Sequence, residues 1–218
     1  MICGIDEAGR GPVLGPLVIA GATFQDDTKL IEYKVRDSKK CTPERRESLA
    51  KLIKETAINY EIIVIPASDI DDMRKVMTLN EIEVNAFIKV IKKLKPDICY
   101  VDSADVNEER FATDILSGLT FKPTIISKHK ADDIYPVVSA ASILAKTRRD
   151  EEIQKIAQEL EKKLDLPMGS GYPADTITKK FFRTWFEKYG KLPPHTRHSW
   201  NTSKKILMDK NTKKLNEF

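Results

Sequence analysis

Short apolar runs alternate with longer segments of helical spacing along most of this chain. The apolar runs are bounded by turn residues and predict strands at 1–5, 13–24, 61–65, 98–101 and 124–127. Apolar residues at helical spacing predict helices at 42–57, 79–94, 107–116, 136–164 and 178–189. Helices that interleave with strands predict an α/β fold with a mixed sheet, followed by a mainly helical C-terminal third.

Two of the predicted helices carry local signals. Thr42 precedes Pro43, and a threonine cap with proline at the first helical position is typical of a helix start. The helix at 136–164 begins with small and apolar residues and ends with charged ones. Its first half is therefore expected to be buried.

Two acids, Asp6 and Glu7, follow the first predicted strand directly. Side chains alternate faces along a strand, so these two can converge only if the chain leaves regular pairing near Glu7. Gly9 and Gly11 make such a departure easy, and they leave the backbone around Arg10 accessible. Acidic pairs at strand ends are also common as solvated surface, so this stretch needs support from the rest of the chain.

That support comes from two further strands. Asp102 ends one of them, and Asp132 lies a few residues after the next. Ligands of open α/β sheets gather beyond the carboxyl ends of the strands, so the acids are expected to meet there. Clustered carboxylates repel one another unless cations hold them, and hard oxygen ligands suit Mg²⁺ or Mn²⁺. Two such ions about 4 Å apart would bind the attacking and leaving oxygens of a phosphodiester.

The composition indicates a globular protein of a reducing compartment and leaves the predicted fold class unchanged. The 218 residues are 41% apolar, which is enough for a core, and 37 basic against 33 acidic residues leave a net charge of only +4. The chain contains three scattered cysteines, Cys3, Cys41 and Cys99, which favour a reducing cytoplasm over a disulfide framework or a zinc site. No apolar run is long enough for a membrane span, and the N-terminus has no secretory pattern.

Several motifs along the chain resemble the ribonuclease HII family, and they occur in that family's order. They are Gly-Ile-Asp-Glu-Ala-Gly-Arg-Gly at 4–11, Asp-Ser-Lys-Lys at 37–40, Tyr-Val-Asp-Ser at 100–103, His-Lys-Ala-Asp at 129–132, Tyr-Pro at 135–136, Ala-Ala-Ser-Ile-Leu-Ala-Lys at 140–146 and Gly-Ser-Gly-Tyr-Pro at 169–173. The length is similar to that of the family's single-chain archaeal form.

The resemblance implies a ribonuclease H-like fold, in which a mixed five-stranded sheet is flanked by helices. It implies a catalytic domain at 1–165 and a helical substrate-binding appendage with a tail at 166–218. The implied activity is metal-dependent endonucleolytic hydrolysis of RNA paired to DNA, including single ribonucleotides embedded in duplex DNA. Cleavage is expected on the 5′ side of the ribonucleotide and leaves 3′-hydroxyl and 5′-phosphate ends. We expect a cytoplasmic monomer that has no membrane contact.

The resemblance also assigns roles to individual residues. The metal-binding and catalytic acids are Asp6, Glu7, Asp102 and Asp132, and Asp132 is chosen over the neighbouring Asp133 because it follows His-Lys-Ala. The substrate-binding residues are Gly9, Arg10, Gly11, Lys39, Lys40, Arg46, Lys146 and Tyr172. Glycine-flanked backbone groups can reach a ribose 2′-hydroxyl, which both donates and accepts hydrogen bonds. The tyrosine ring can pack on a sugar that lacks this hydroxyl. The three histidines are expected to be structural or peripheral.

Two other functions fit parts of the pattern. A transposase-like or resolvase-like nuclease can share the fold and the acidic site, and it would cut an all-DNA duplex as well as a hybrid. A nucleic-acid-binding module with a structural cation would bind without cleaving.

The C-terminal tail has its own signal. Leu215 and Phe218 are three residues apart, so one helical turn places them on the same face. The tail resembles the short peptide with which replication and repair enzymes bind a sliding clamp, although Thr212 stands where that motif usually has glutamine. A tail that caps the fold or remains mobile is the alternative.

Overall fold

The structure is a computed structural model that describes residues 1–35 and 42–215, with side chains as far as residue 208. Its internal contacts divide the chain into two compact units. The first unit comprises 1–8, 18–64 and 77–150, and the second comprises 9–17, 65–76 and the chain from 151 onward. These units do not coincide with the predicted parts 1–165 and 166–218, and that functional division stays a prediction.

A sheet of five strands is the centre of the first unit. The strands are β1 (Ile2–Ala8), β2 (Leu17–Phe24), β3 (Asn59–Ile65), β4 (Ile98–Asp102) and β5 (Thr124–Lys128), in the order β3-β2-β1-β4-β5. β1 is antiparallel to β2 and parallel to β4, and β4 is parallel to β5, so the predicted mixed sheet is confirmed. The predicted strand at 13–24 begins only at Leu17, because Val13 and Gly15 donate backbone hydrogen bonds to Gly171 and His195 instead.

The helices follow the predicted positions closely where they are long. They are α1 (Thr28–Glu32), α2 (Pro43–Thr56), α3 (Ala67–Met73), α4 (Leu79–Leu94), α5 (Glu108–Ser117), α6 (Ala131–Ile134), α7 (Pro136–Leu164), α8 (Thr176–Tyr189) and α9 (Asn201–Leu215). The predicted cap of α2 is confirmed, since the Thr42 hydroxyl accepts a hydrogen bond from the Arg45 amide. The short helices α1, α3 and α6 were not predicted, because they have too few turns to show a periodic pattern.

The core of the first unit joins one face of the sheet to α2 and α7. Val18, Ala20, Ala22 and Phe24 alternate along β2 and pack in this core with the apolar sides of the two helices. Helix α7 approaches β1 so closely that a Cβ atom on Gly4 would stand 2.0 Å from the Val137 carbonyl oxygen. The absence of a side chain at Gly4 therefore sets the distance between α7 and the strand that carries Asp6.

The second unit has an aromatic core. Phe181, Phe182 and Trp185 of α8 pack with the C-terminal part of α7 and with Val13 and Leu14. Seven of the residues in and around this core come from positions 153–168, which comprise the amphipathic end of α7 and the four residues that follow it. The core therefore ties the residues after β1 to the C-terminal third within one compact unit.

Two of the cysteines lie within the described part of the chain. Cys3 and Cys99 face each other in register on β1 and β4 as buried free thiols, and burial raises the pKa of the Cys99 thiol. Cys41 lies outside the described residues. Among the helices of the described residues, none combines the length and the apolar character that crossing a membrane requires.

Candidate active site

Strand β1 carries the first two acids. Its antiparallel register with β2 is unbroken from Ile2 to Ala8, so the expectation that the chain leaves regular pairing near Glu7 is wrong on this side. The parallel register with β4 extends only as far as Ile5 and Val101. Because the strand remains regular, Asp6 and Glu7 start from opposite faces of the sheet. Asp6 lies on the same face as Gly4, the face that α7 covers.

Asp102 and Asp132 come from the next two strand ends. Asp102 is the last residue of β4, and its Oδ1 accepts a hydrogen bond from the Ala131 amide at 3.1 Å. Asp132 lies in α6, which follows β5, and it is buried. The turn between β5 and α6 passes through Lys130 in a left-handed conformation, with a φ of 54°. Because Ala131 directly precedes Asp132, the hydrogen bond from the Ala131 amide to Asp102 links the two acids through the backbone.

Glu108, at the start of α5, holds the turn in front of Asp132. Its carboxylate accepts hydrogen bonds from the His129 amide at 2.7 Å and from Lys128 Nζ at 3.0 Å. The His129 ring in turn lies 3.2 Å from the Val106 carbonyl oxygen. These contacts give His129 a structural partner and fix the approach of the chain to α6.

Three of the four predicted acids meet in the first unit. Each of Asp6, Asp102 and Asp132 offers a carboxylate oxygen, and these oxygens lie within 4.8 Å of one another. Among the described residues, Glu7 and Asp133 are outside this group. Glu7 lies in the next position of β1 and donates its backbone N–H to Asp6 Oδ1 at 2.7 Å. The neighbouring Asp133 is exposed, whereas Asp132 is only 7% exposed.

Burial and charge together raise the pKa of Asp6 to about 7. Removal from water is the largest cause, followed by the negative charge of Asp102 and, more weakly, that of Asp132. The Ser142 hydroxyl and the Lys146 ammonium act in the opposite direction. Ser142 and Lys146 are one turn apart on α7, so the face of this helix that packs on β1 also carries the groups that stabilise the ionised form of Asp6.

This donor set fits a hard divalent cation. Three carboxylates, two of them buried, provide oxygen ligands at a spacing that a cation can bridge, and oxygen ligands are those that Mg²⁺ and Mn²⁺ prefer. A cation would also offset the repulsion that raises the pKa of Asp6. Asp6, Asp102 and Asp132 are therefore the residues that could hold such an ion.

The second unit contains the glycine loop, residues 9–15, and the predicted substrate residue Tyr172. The loop begins at Gly9 with a φ of 88°, a conformation that favours glycine. Val13 donates its amide to the Gly171 carbonyl at 2.9 Å, and a Cβ on Gly11 would stand 3.5 Å from the Tyr172 ring. The structure thus brings the predicted Gly9-Arg10-Gly11 motif and Tyr172 together, and Tyr172 is 42% exposed.

The remaining predicted substrate residues are distributed differently. Arg46 forms an ion pair with Asp150, and Lys146 lies near Asp6 as described above. Lys39, Lys40 and Phe218 lie outside the described residues. Leu215 is the last described residue of α9, and the structure does not describe its side chain.

Three residues with a clear structural role were not predicted from the sequence. Ser142 lies beside Asp6, Glu108 holds the turn before Asp132, and Arg197 donates hydrogen bonds to three carbonyl groups of the glycine loop. The spacing of Ser142 and Lys146, four residues apart in a run of small residues, is a signal that could have identified Ser142. The partners of Glu108 and Arg197 are distant in sequence, so no local pattern indicates them.

Comparisons with known proteins agree with this fold. The ribonuclease HII family model matches residues 3–203. The ribonuclease HII of Thermococcus kodakarensis is 48% identical over 209 residues, which cover 94% of this chain and 89% of that protein. The crystal structure of ribonuclease H2 from Pyrococcus horikoshii is 40% identical, with a TM-score of 0.88 and coverage of 95% of this chain and 97% of that one. The structure of the PCNA:RNase HII complex from Archaeoglobus fulgidus matches with 38% identity and a TM-score of 0.84, covering 93% and 94% of the two chains.

The mixed five-stranded sheet and the acidic group at its strand ends define a metal-dependent nuclease with a ribonuclease H-like fold. The family match and the identity over most of both chains define it further: the chain belongs to the ribonuclease HII family. It is a hydrolase that cleaves the RNA strand of RNA–DNA hybrids and depends on divalent metal ions.

Proposed function

We propose that the chain also cleaves at single ribonucleotides embedded in duplex DNA, on the 5′ side of the ribonucleotide, and leaves 3′-hydroxyl and 5′-phosphate ends. The observation that carries this proposal is the proximity of Gly11 in the glycine loop to the Tyr172 ring, within one compact unit. Glycine-flanked backbone groups beside an aromatic ring are suited to distinguish a ribose from a deoxyribose by its 2′-hydroxyl.

The acids Asp6, Asp102 and Asp132 are the proposed metal ligands. Glu7 is proposed as a fourth ligand that approaches past the end of the pairing between β1 and β4, which stops at Ile5 and Val101. When bound, two Mg²⁺ or Mn²⁺ ions would activate a water and stabilise the negative charge on the leaving oxygen. The residues of the chain hold the site in place. The Ala131 amide orients the Asp102 carboxylate, and the Glu7 amide orients that of Asp6.

Lys146 and the glycine loop are the proposed contacts to the nucleic acid. The Lys146 ammonium already lowers the pKa of Asp6 through its charge, and the same charge would offset that of a bound phosphate. The amides of the glycine loop would contact the ribose, and the exposed Tyr172 ring would pack on the adjoining deoxyribose. Lys39, Lys40 and Arg46 are proposed to contact phosphates further along the duplex, and Arg46 would exchange its contact with Asp150 for them.

Cleavage of a duplex with one ribonucleotide tests this function. In Mg²⁺ or Mn²⁺, we expect one cut on the 5′ side of the ribonucleotide, and we expect the all-DNA duplex of the same sequence to remain intact. Equal cleavage of both duplexes would indicate a nuclease of the transposase or resolvase type instead. Cleavage of a long hybrid without cleavage at the single site would restrict the function to hybrids.

Tyr172→Ala is expected to reduce cleavage mainly at single ribonucleotides. Contacts between an aromatic ring and a nucleotide are worth about 1–3 kcal/mol, which corresponds to a loss of roughly ten- to hundredfold at these sites. Long hybrids offer many cleavage positions, so their cleavage rate should fall less. The single-turnover rates on both substrates measure this difference, with Tyr172→Phe as the matched control that keeps the ring. An equal and small loss on both substrates would leave Tyr172 with a structural role only.

The tail is proposed to bind a sliding clamp of the PCNA type through Leu215 and Phe218. The proposal rests on the spacing of these residues and on the A. fulgidus ribonuclease HII, which was solved in a complex with PCNA. A chain that ends at Lys210 should lose at least about tenfold in affinity for the cognate clamp, because both apolar anchors are removed. Calorimetric titration measures the affinity, and Leu215→Ala with Phe218→Ala is the matched full-length variant. Clamp affinity that is the same for all three chains would contradict the proposal.

A further inference from the structure

Arg197 is a fully buried arginine in the second unit, with an exposed fraction of 0%. Its guanidinium donates three hydrogen bonds to the glycine loop, from Nε to the Gly15 carbonyl at 3.0 Å, from Nη1 to the Arg10 carbonyl at 3.0 Å and from Nη2 to the Gly9 carbonyl at 2.5 Å. Burying a guanidinium is costly unless its donors are satisfied. In this protein the donors converge on the backbone of one short loop.

Two further contacts fix Arg197 itself. Its backbone amide donates to the Val13 carbonyl at 2.8 Å, so backbone and side chain hold the same loop. The centroid of the Trp200 ring lies 4.7 Å from Cζ of the guanidinium, at a distance that favours cation–π attraction. The guanidinium is therefore held between an aromatic ring and the loop, and its planar fork has little freedom to turn.

This arrangement determines which way the loop amides point. In a trans peptide the carbonyl and the amide of the same peptide unit point in opposite directions. The carbonyls of Gly9 and Arg10 point towards Arg197, so the N–H groups of Arg10 and Gly11 point away from it. Two successive amides on one side of a glycine-rich turn form a concave donor site for an oxygen ligand.

We infer that Arg197 is a positioning residue for ribonucleotide recognition: by holding the carbonyls of Gly9 and Arg10, it orients the amides of Arg10 and Gly11 towards the ribose. This inference rests on the proposed role of the glycine loop in recognition. Lysine cannot replace Arg197 fully, because a single ammonium group cannot hold three carbonyls in the geometry of a planar fork. If Arg197 only stabilised the fold, its replacement would weaken the binding of ribose-containing and all-DNA duplexes equally.

The test compares two affinities in the Asp102→Asn background, in which hydrolysis is not expected. One duplex contains a single ribonucleotide, and the other has the same sequence in DNA only. Arg197→Gln should lower the preference for the ribonucleotide by about tenfold or more, and Arg197→Lys should lower it less than Arg197→Gln does. The affinity of both variants for the all-DNA duplex should stay within about twofold of that of the Arg197 protein. Trp185→Leu is the control, since it removes a buried ring from the same unit and should lower the melting temperature without changing the preference.

An unchanged preference in folded Arg197→Lys and Arg197→Gln proteins, or an equal loss on both duplexes, would overturn the inference. If neither variant folds, Trp200→Leu decides, because it loosens the guanidinium without removing it and should reduce the preference in the same direction. An unchanged preference in that variant would also overturn the inference. If the unsubstituted Arg197 protein itself shows no preference for the ribonucleotide, it is the proposed recognition by the glycine loop that fails.

Discussion

Asp102→Asn is expected to reduce hydrolysis by about a thousandfold or more while the protein remains folded. Removing one carboxylate from the acidic group weakens the binding of cations that contribute several kcal/mol of charge stabilisation in the transition state. Asparagine keeps an oxygen that can accept the hydrogen bond from the Ala131 amide, so the turn before Asp132 should stay in place. Single-turnover cleavage of a hybrid, together with thermal unfolding, measures both parts of this expectation.

Asp133→Asn is the matched control for this experiment. The same chemical change is made one position from Asp132, at an exposed side chain outside the acidic group. Its activity should stay within about twofold of the unsubstituted protein. Near-normal hydrolysis by a folded Asp102→Asn protein, or a similar loss in Asp133→Asn, would contradict the assignment of the metal ligands.

Asp6→Asn should lose activity to the same extent and yet make the metal-free protein more stable. The pKa of Asp6 is raised to about 7, so the folded protein binds this proton more tightly than the unfolded chain does. The contribution of Asp6 to the stability of the unsubstituted protein therefore falls as the pH rises from about 4 to about 7, and one pKa unit corresponds to about 1.4 kcal/mol. The gain from Asp6→Asn should reach a few kcal/mol above pH 7 and disappear towards pH 4. Denaturant unfolding of both proteins in a chelator, across this pH range, measures the gain. A difference in the free energy of unfolding that is the same at every pH would contradict the prediction.

Gly4→Ala has the largest expected effect on stability, a loss of about 3 kcal/mol or more. Alanine normally suits a strand better than glycine by about 0.5–1 kcal/mol, so a gain would be expected on propensity alone. At this position, however, the new Cβ would stand 2.0 Å from the Val137 carbonyl oxygen, and backbone atoms cannot move aside without shifting α7. Such a shift would also move Ser142 and Lys146 relative to Asp6, so activity should fall together with stability.

Gly11→Ala provides the comparison for the Gly4 experiment. A Cβ at Gly11 would meet only the Tyr172 ring at 3.5 Å, which is an ordinary contact distance, so stability should change by less than about 0.5 kcal/mol. Denaturant unfolding of the two variants measures the difference. A Gly4→Ala protein that is as stable as Gly11→Ala would show that α7 is not held at the distance seen here.

Local signals were sufficient for much of this fold. The bounds of α7 at Pro136 and Leu164 were predicted as the structure has them, because a proline start and a long amphipathic pattern depend only on neighbouring residues. The cap at Thr42 was predicted for the same reason. Local patterns also placed Asp6, Asp102 and Asp132 at or just beyond predicted strand ends, although Asp6 lies within β1 and Asp132 lies in α6. Parallel strands that end at one edge of a sheet bring such residues together.

Only the tertiary structure shows on which face of the sheet Glu7 lies. The sequence shows that Gly9 and Gly11 permit a departure from the strand, but pairing with β2 keeps β1 regular as far as Ala8. That pairing is a contact between distant residues, and no local pattern reports it. The same holds for Val13 and Gly15, which look like strand residues and are bound instead to Gly171 and His195.

The amino-acid sequence by itself determined the α/β class, the family and the acids from which the site is built, because each of these depends on short motifs and on periodic patterns. Only the tertiary structure decided which acids meet, how burial and neighbouring charges raise the pKa of Asp6, and what holds the glycine loop. Arg197 and Gly9 are 188 residues apart, and their hydrogen bond exists only after the chain has folded. Electrostatic interactions and hydrogen bonds depend on the distance between groups in space, which cannot be read from their separation along the chain.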